Sequence, residues 1–207
     1  TGINNTINNA ENVIALGNNM VVGSATTTAK NSILLGNHIA FASKDNMANA
    51  VSIGDYSRAN TGAVAVGVSA QALGDDSIAI GRDAIATGSI ATGASARAGN
   101  GGAAYGDGAV ATYLNGATTA GTVAGAAFGQ NAQADVSAAL ALGTNALVTQ
   151  TNSVALGADS IANTAATPVA GFAGATPVGV ISVGSVGKER QIQNVAAGQI
   201  NNLSTDA

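Results

Sequence analysis

The chain has 207 residues, of which only 3% are aromatic and 9% charged, and its formal net charge is −4. Large side chains are too scarce for a thick globular core, the seven Lys and Arg are too dispersed for nucleic acid, and the lack of cysteine excludes disulfides. The apolar share of 46% comes mainly from Ala, Val, Ile and Leu spread evenly along the chain. This distribution predicts burial in many thin, similar layers.

A short pattern recurs along the chain: two small or polar residues, an apolar residue, a small residue, an apolar residue and then glycine, as in residues 152–157. The compact intervals between the repeat glycines are 12 to 14 residues, and the longer intervals carry insertions near 22–33, 41–50 and 111–123. Such internal repetition predicts a solenoid of about ten stacked units. The ten repeat glycines are Gly17, Gly36, Gly54, Gly67, Gly81, Gly93, Gly106, Gly129, Gly143 and Gly157.

Each unit is predicted to contain two short β-strands. The residues one and three positions before the glycine are apolar, as in Ile78 and Ile80, and a spacing of two puts them on one strand face. Small or apolar residues at the third and fifth positions after the glycine, as in Ala84 and Ala86, predict the second strand. We expect these units, called rungs below, to stack in parallel, with glycine at the bend between strands.

The two faces of the first strand predict an inside and an outside. We expect the large apolar pair to fill the inside of each rung, together with Tyr105 and Phe128. The residue between the pair is alanine in eight of ten copies, and a strand face that meets water usually carries polar residues. The alanine column is therefore expected to pack against other chains, although alanine could also be tolerated in a narrow solenoid. The expected interface residues are Ala65, Ala79, Ala91, Ala141 and Ala155.

The repeats and the last thirty residues resemble the head and neck of trimeric autotransporter adhesins, the YadA-like family of Gram-negative surface proteins. Residues 152–162 look like the family's head repeat, and residues 180–185, 188–192 and 194–198 are similar to its neck motif. The resemblance implies an all-β, left-handed parallel β-roll that is homotrimeric, with a C-terminal neck leading into a coiled coil. We therefore expect the head over 1–175, the neck over 176–200 and the start of a stalk over 201–207.

The neck motif holds an unusual concentration of charge for this chain. Lys188, Glu189 and Arg190 are consecutive, and Asn194 follows in the same motif. We expect the charged residues to pair within or between chains, whereas an ordinary solvated cluster is the alternative. Apolar residues spaced at three and four from Ile192 onward predict the start of a narrow helical seam.

The resemblance implies a non-enzymatic adhesin on the bacterial cell surface, held to the outer membrane by an anchor domain that lies outside this sequence. Its expected partners are host matrix proteins such as collagen, fibronectin or laminin, or another microbial surface. A structural spacer is the alternative, because nothing in the repeat distinguishes the two. Arg and Tyr are enriched at binding hot spots. On that basis the candidate ligand-binding residues are Tyr56, Arg58, Arg82, Arg97 and Tyr113.

Catalytic chemistry and cofactors are not expected. The single histidine, His38, follows a repeat glycine at a turn that we expect to be exposed. The eleven carboxylates are dispersed, so no metal site is expected.

Overall fold

The computed structural model describes residues 2–22, 29–39, 47–112, 124–171 and 174–199. Within these residues the chain forms 24 short β-strands and no α-helix, and therefore contains no helix that is long and apolar enough to cross a membrane. In chain order the strands are β1 (Thr6–Ile7), β2 (Ala10–Glu11), β3 (Ile14–Leu16), β4 (Val21–Val22), β5 (Ala29–Lys30), β6 (Ile33–Leu35), β7 (Met47–Ala48), β8 (Val51–Ile53), β9 (Arg58–Ala59), β10 (Val64–Val66), β11 (Gln71–Ala72) and β12 (Ile78–Ile80). The remainder are β13 (Ile85–Thr87), β14 (Ile90–Thr92), β15 (Arg97–Gly99), β16 (Ala103–Tyr105), β17 (Val110–Ala111), β18 (Ala126–Phe128), β19 (Gln133–Ala134), β20 (Leu140–Leu142), β21 (Leu147–Val148), β22 (Val154–Leu156), β23 (Ile161–Ala162) and β24 (Ile181–Ser182).

The strands form two principal sheets. An 11-stranded sheet, the long sheet, contains β3, β6 and every even-numbered strand from β8 to β24. An 8-stranded sheet, the short sheet, contains the odd-numbered strands from β9 to β23. Every strand pair is parallel and in register, so that in β10 and β12 Ala65 lies opposite Ala79. Because consecutive strands alternate between the sheets, the chain winds into a parallel β-solenoid of about nine turns, which confirms the predicted all-β architecture of two-strand rungs.

The repeat glycines form a straight column at the end of the long-sheet strands. Gly67 has a φ of +134°, and a Cβ placed on it would lie 2.6 Å from the carbonyl oxygen of Gly81 in the next rung. Both the backbone conformation and the close approach therefore require glycine. The column extends to Gly2, which lies against Gly17 and begins a further rung. The sequence pattern did not reveal that rung, since only one residue precedes Gly2.

The core is a thin layer of small side chains, and the predicted orientation of the long-sheet strands is wrong. All five alanines expected at a subunit interface have 0% exposure within the single chain, so they offer no surface to another chain. Ala79 belongs to the same hydrophobic core cluster as Ala84 and Ala86, which are also fully buried. Sheets that approach through alanine leave no room for Ile or Leu between them, because interiors are close-packed. The large apolar pair therefore points outward. The corrected residues are Ala65, Ala79, Ala91, Ala141 and Ala155.

Tyr105 and Phe128 were also predicted to be internal, and they lie on the outside. They are 37% and 36% exposed, and their rings stack on each other with centroids 5.2 Å apart. In both strands the other outward position is alanine, Ala103 in β16 and Ala126 in β18. Each ring therefore lies beside a small residue on the same face.

The predicted insertions and neck are only partly described. Much of each insertion lies outside the described residues, which omit 23–28, 40–46 and 113–123, although β5 and β7 fall within the first two predicted ranges. The long sheet continues past the predicted head boundary at residue 175, because Ile181 of β24 pairs with Val154 of β22. From Val186 to Gln199 there is no helix, and Ile192 is 69% exposed in irregular chain. The rest of the predicted seam and the stalk, residues 200–207, lie outside the described residues.

Replacing Ala79 by Leu tests the assignment of the inward face. Because Ala79 is fully buried between the sheets, the larger side chain must displace its neighbours, and we expect the free energy of unfolding to fall by about 1–3 kcal/mol. The control is Gln133→Leu, at an exposed position on the outward face of the short sheet, which should change that free energy by no more than about 0.5 kcal/mol. Denaturant titration measures both. A loss in Ala79→Leu that is no larger than the loss in Gln133→Leu would contradict the assignment.

Candidate functional site

The outward side of the long sheet is a continuous apolar surface, here called the apolar face. Two columns of mostly large apolar residues run along it, one from each end of the three-residue strands, and Ile14, Leu142 and Leu156 are 54%, 41% and 44% exposed. The exceptions in these columns are Thr92, Ala103 and Ala126. With a spacing of about 4.8 Å between strands, eleven strands extend over about 48 Å. Exposed apolar patches of this extent mark interaction surfaces in water-soluble proteins. The repeat pattern identified these residues, but they were predicted to lie inside the rungs and they lie outside.

The outward side of the short sheet has a mixed character. Its column reads Arg58, Gln71, Ile85, Arg97, Val110, Gln133, Leu147 and Ile161 along the axis. Two predicted ligand-binding residues, Arg58 and Arg97, therefore share a column and a face, three rungs apart, or about 14 Å. Both are exposed.

The other predicted ligand-binding residues have different surroundings. Nη1 of Arg82 lies 2.9 Å from Oδ2 of Asp83 at a corner of the roll, so a carboxylate already neutralises this guanidinium. Tyr113 lies outside the described residues. Tyr56 lies at a corner and is 55% exposed.

Tyr56 is part of a cluster that the sequence analysis missed. Its ring stacks on that of His38 in the preceding rung, with centroids 4.7 Å apart and an angle of 6° between the planes. Both rings, together with Arg58, Ser69 and Gln71, line a shallow pocket of 330 Å³, the corner pocket. The signal was present in the sequence, since His38 and Tyr56 each follow a repeat glycine by two positions. His38 does lie in an exposed turn, as predicted.

Two charged residues of the neck, Lys188 and Arg190, bind the last rungs of the roll. Nζ of Lys188 lies 2.9 Å from Oδ2 of Asp159. The guanidinium of Arg190 donates to the carbonyl oxygens of Ala158, at 2.6 Å, and Val183, at 2.8 Å. It also lies over Gly157, where every earlier glycine of the column meets the backbone of another rung. Lys188 and Arg190 thus cap the open end of the glycine column within one chain.

The two acidic groups of this region are hydrogen-bonded in different ways. The hydrogen bond from Lys188, followed by that from Asn145, holds the pKa of Asp159 below its ordinary value. Backbone N–H groups, its own and that of Gly187, lower the pKa of Glu189. Glu189 therefore bonds to the neck backbone instead of to Lys188. Asn194 is exposed and adopts a φ of +59°.

A groove of 680 Å³ separates the last short-sheet strand from the neck. Its lining includes the apolar side chains of Ile161, Ile181 and Val183 and the charged side chains of Glu189 and Arg190. Within the described ranges, no cluster of three or more His, Cys, Asp or Glu is arranged to hold a metal ion.

Comparison with known proteins identifies the repeat. A family model described as the YadA head domain repeat (2 copies) matches residues 59–84, 125–146 and 137–160, so the predicted resemblance is confirmed for the head repeats. Among solved structures, the C-terminal YadA-like domain of a Burkholderia pseudomallei protein is 36% identical over 43% of this chain and 43% of that chain, with a TM-score of 0.31. The collagen-binding domain of the Yersinia adhesin YadA is 21% identical over 97% of this chain and 82% of that chain, with a TM-score of 0.47. The search of curated proteins gives no match.

The contact between Lys188 and Asp159 predicts a pH-dependent attachment of the neck. Because the pKa of Asp159 is lowered in the folded chain, the contact is fully present above the ordinary pKa of an aspartate and is lost as the pH falls through the lowered value. Lys188→Gln should therefore raise the pKa of Asp159, measured by NMR titration of its carboxyl carbon. Lys30→Gln, which removes the ion pair with Glu11 at the other end of the roll, is the control and should leave that titration unchanged. Identical titrations in wild type and Lys188→Gln would contradict the assignment.

Proposed function

We propose that these YadA head repeats form the head of a homotrimeric bacterial surface adhesin, in which the apolar face joins three copies of the chain. The observation that carries the proposal is the extended apolar face of a chain that contains repeats of an adhesin head. The remaining outward surfaces, which are the short sheet and the corners, are then available to ligands.

A second copy of the same chain is the partner that best fits the apolar face. The face extends along the whole long sheet. A second copy that lies parallel and in the same register would place each rung beside the identical rung of its neighbour. Covering such a surface contributes about 25 cal/mol per Å² of apolar area removed from water. The stacked Tyr105 and Phe128 supply aromatic area at the middle of the face. The number of three copies rests on the resemblance to trimeric autotransporter adhesins.

The groove at the neck favours the same assembly. Its apolar wall includes Ile181, which is 72% exposed in the single chain, and the neck segment beside it leaves Ile192 and Val195 exposed as well. Neck residues from adjacent copies cover these surfaces in the proposed trimer. This assignment gives the apolar residues of the neck a role in assembly, whereas Lys188 and Arg190 attach each neck to its own head.

The proposed ligands are host extracellular matrix proteins of the collagen, fibronectin or laminin type, or the surface of another microbe, and the proposed location is the bacterial cell surface. Collagen is the first to test, because the Yersinia domain is described as collagen-binding. Repeated weak contacts along three chains combine into firm attachment by avidity, so no single deep pocket is required.

Introducing two negative charges on the apolar face by substitution should dissociate the assembly. In the double variant Ile80→Glu and Leu142→Glu, carboxylates replace exposed apolar side chains of the long sheet and must be desolvated on assembly, so we expect a single-chain mass by light scattering and a three-chain mass for the wild type. The matched control is Ile85→Glu with Leu147→Glu, on the outward side of the short sheet, which should retain the three-chain mass. An unchanged mass in the first variant would refute the apolar face as the interface.

Binding to an array of matrix proteins and whole microbial cells tests the adhesive function. We expect saturable binding by the wild type and at least about tenfold weaker apparent affinity for the dissociated variant, because avidity is lost. A trimer of correct mass that binds no matrix protein and no cell would overturn the adhesive function and favour the structural spacer.

A further inference from the structure

The backbone at the corners of the roll favours short side chains. The second residue after each glycine of the column has a positive φ in every described rung, and most rungs place Asn, Asp, Ser or Gly there. Such residues tolerate the left-handed conformation, whereas bulky side chains are rarely found in it. Two adjacent rungs depart from this rule with His38 at +54° and Tyr56 at +58°. The residues of this corner column are Asn4, Asn19, His38, Tyr56, Ser69, Asp83, Ser95, Gly108, Asn131, Asn145 and Asp159.

The two bulky residues form a short aromatic stack with one end open. On one side, Nδ2 of Asn19 lies 3.3 Å from Nε2 of His38 and fixes the histidine ring. On the other side, the next residue of the column is Ser69, whose small side chain leaves the ring of Tyr56 largely uncovered, and Tyr56 is 55% exposed. Backbone strain of this kind concentrates at ligand-binding sites.

A positive charge lies beside the open ring. Arg58 follows Tyr56 by two residues, points outward from β9 and forms no ion pair with any described residue. The neighbouring carboxylates are engaged elsewhere: Asp55 accepts hydrogen bonds from Asn37, and Asp83 pairs with Arg82. Among the described residues, the guanidinium is therefore available to an anion from outside the chain.

The corner pocket brings this charge together with two neutral polar groups. Arg58, Ser69 and Gln71 line the same 330 Å³ as the stacked rings. An aromatic face, a guanidinium, an amide and a hydroxyl thus converge on one small cavity. This volume is near the lower limit of ligand pockets and fits one or two sugar rings, whereas an extended polypeptide needs a longer groove.

We propose that the corner pocket binds a carboxylated sugar. The C–H face of the pyranose packs on the ring of Tyr56, the carboxylate accepts paired hydrogen bonds from Arg58, and sugar hydroxyls bond to Gln71 and Ser69. This inference rests on the proposed adhesive function and names a ligand class for it. Uronic acids of glycosaminoglycans and terminal sialic acids share the required chemistry.

Direct binding of defined oligosaccharides to the 207-residue chain tests the proposal. A hyaluronan tetrasaccharide supplies uronate, sialyllactose supplies sialic acid, and lactose is the neutral probe. By ligand-observed NMR and calorimetry we expect one of the carboxylated sugars to bind and lactose not to bind. Binding of neither carboxylated sugar, or equal binding of lactose, would overturn the proposal.

Two variants that preserve the fold locate the site. Arg58→Gln introduces at β9 the residue that β11 carries at the same position, and Tyr56→Asn introduces a residue found at other corners of the column. Each should weaken sugar binding by about tenfold or more, because a charge-assisted bond or the stacking surface is lost. Tyr56→Asn should also raise the unfolding midpoint, since asparagine relieves the strained corner, so lost binding cannot be ascribed to misfolding.

Lys30→Gln is the control, because it also removes one positive charge, but Lys30 lies in β5, pairs with Glu11 and does not line the corner pocket. It should leave sugar binding unchanged. Unaltered affinity in Arg58→Gln or Tyr56→Asn would place the sugar elsewhere and refute the pocket. If the wild type binds matrix proteins but no carboxylated sugar, the adhesive function stands and the sugar site is refuted. If it binds the sugar but no matrix protein or cell, the sugar site stands and the adhesive function is refuted.

Discussion

Close approach of two parallel sheets across a layer of methyl groups is the constraint on which this molecule depends. Ala79, Ala84 and Ala86 are all fully buried, and equivalent positions in the other rungs are mostly alanine or serine. Where only alanine or serine fits between the two sheets, there is no room for Ile, Leu or aromatic side chains. The larger apolar residues of the long sheet therefore lie outside. The wider rungs near the N-terminus, where Met20, Leu34 and Ile39 are fully buried, show that the core accepts more volume only where the surrounding residues change together.

The same constraint explains why a single chain exposes so much apolar surface. Burying alanine methyl groups removes far less apolar area from water than burying branched side chains. Much of the cohesion of one rung must therefore come from its backbone hydrogen bonds to the neighbouring rungs, as between Gly67 and Ile53. In the proposed trimer, the hydrophobic contribution comes largely from contacts between chains, so folding and assembly depend on each other.

The architecture could be predicted from the sequence, whereas the orientation of its strands could not. Regular glycine spacing and apolar alternation identify two-strand rungs, and a period of two defines two faces. That period does not say which face is internal. The general expectation that large residues lie inside led to Ala65 and Ala141 being placed at an interface and Tyr105 in the core, because the distance between the sheets was unknown. The alternative of alanine in a narrow solenoid was the correct one.

The ligand-binding candidates were found by residue type, and their setting came only from the structure. Arg82 and Arg58 are equivalent by composition, but Arg82 has a carboxylate partner and Arg58 lies beside an aromatic stack. The partnership of His38 and Tyr56 could be recognised only from the register of the rungs, because the two residues are 18 positions apart in the sequence. At the neck, the charged cluster was correctly singled out, but its contacts with Asp159 and Ala158 depend on the return of the chain to the end of the roll.

Parallel in-register stacking also governs how far the head can extend. Each strand hydrogen-bonds only to the strands directly before and after it in its sheet, and the glycine column places every rung in nearly the same conformation. Gain or loss of one complete repeat therefore changes the length of the roll by about 4.8 Å without disturbing the remaining rungs. Duplication of short coding segments can thus adjust the reach of such a head in small steps, while a corner that carries a ligand group moves as a unit.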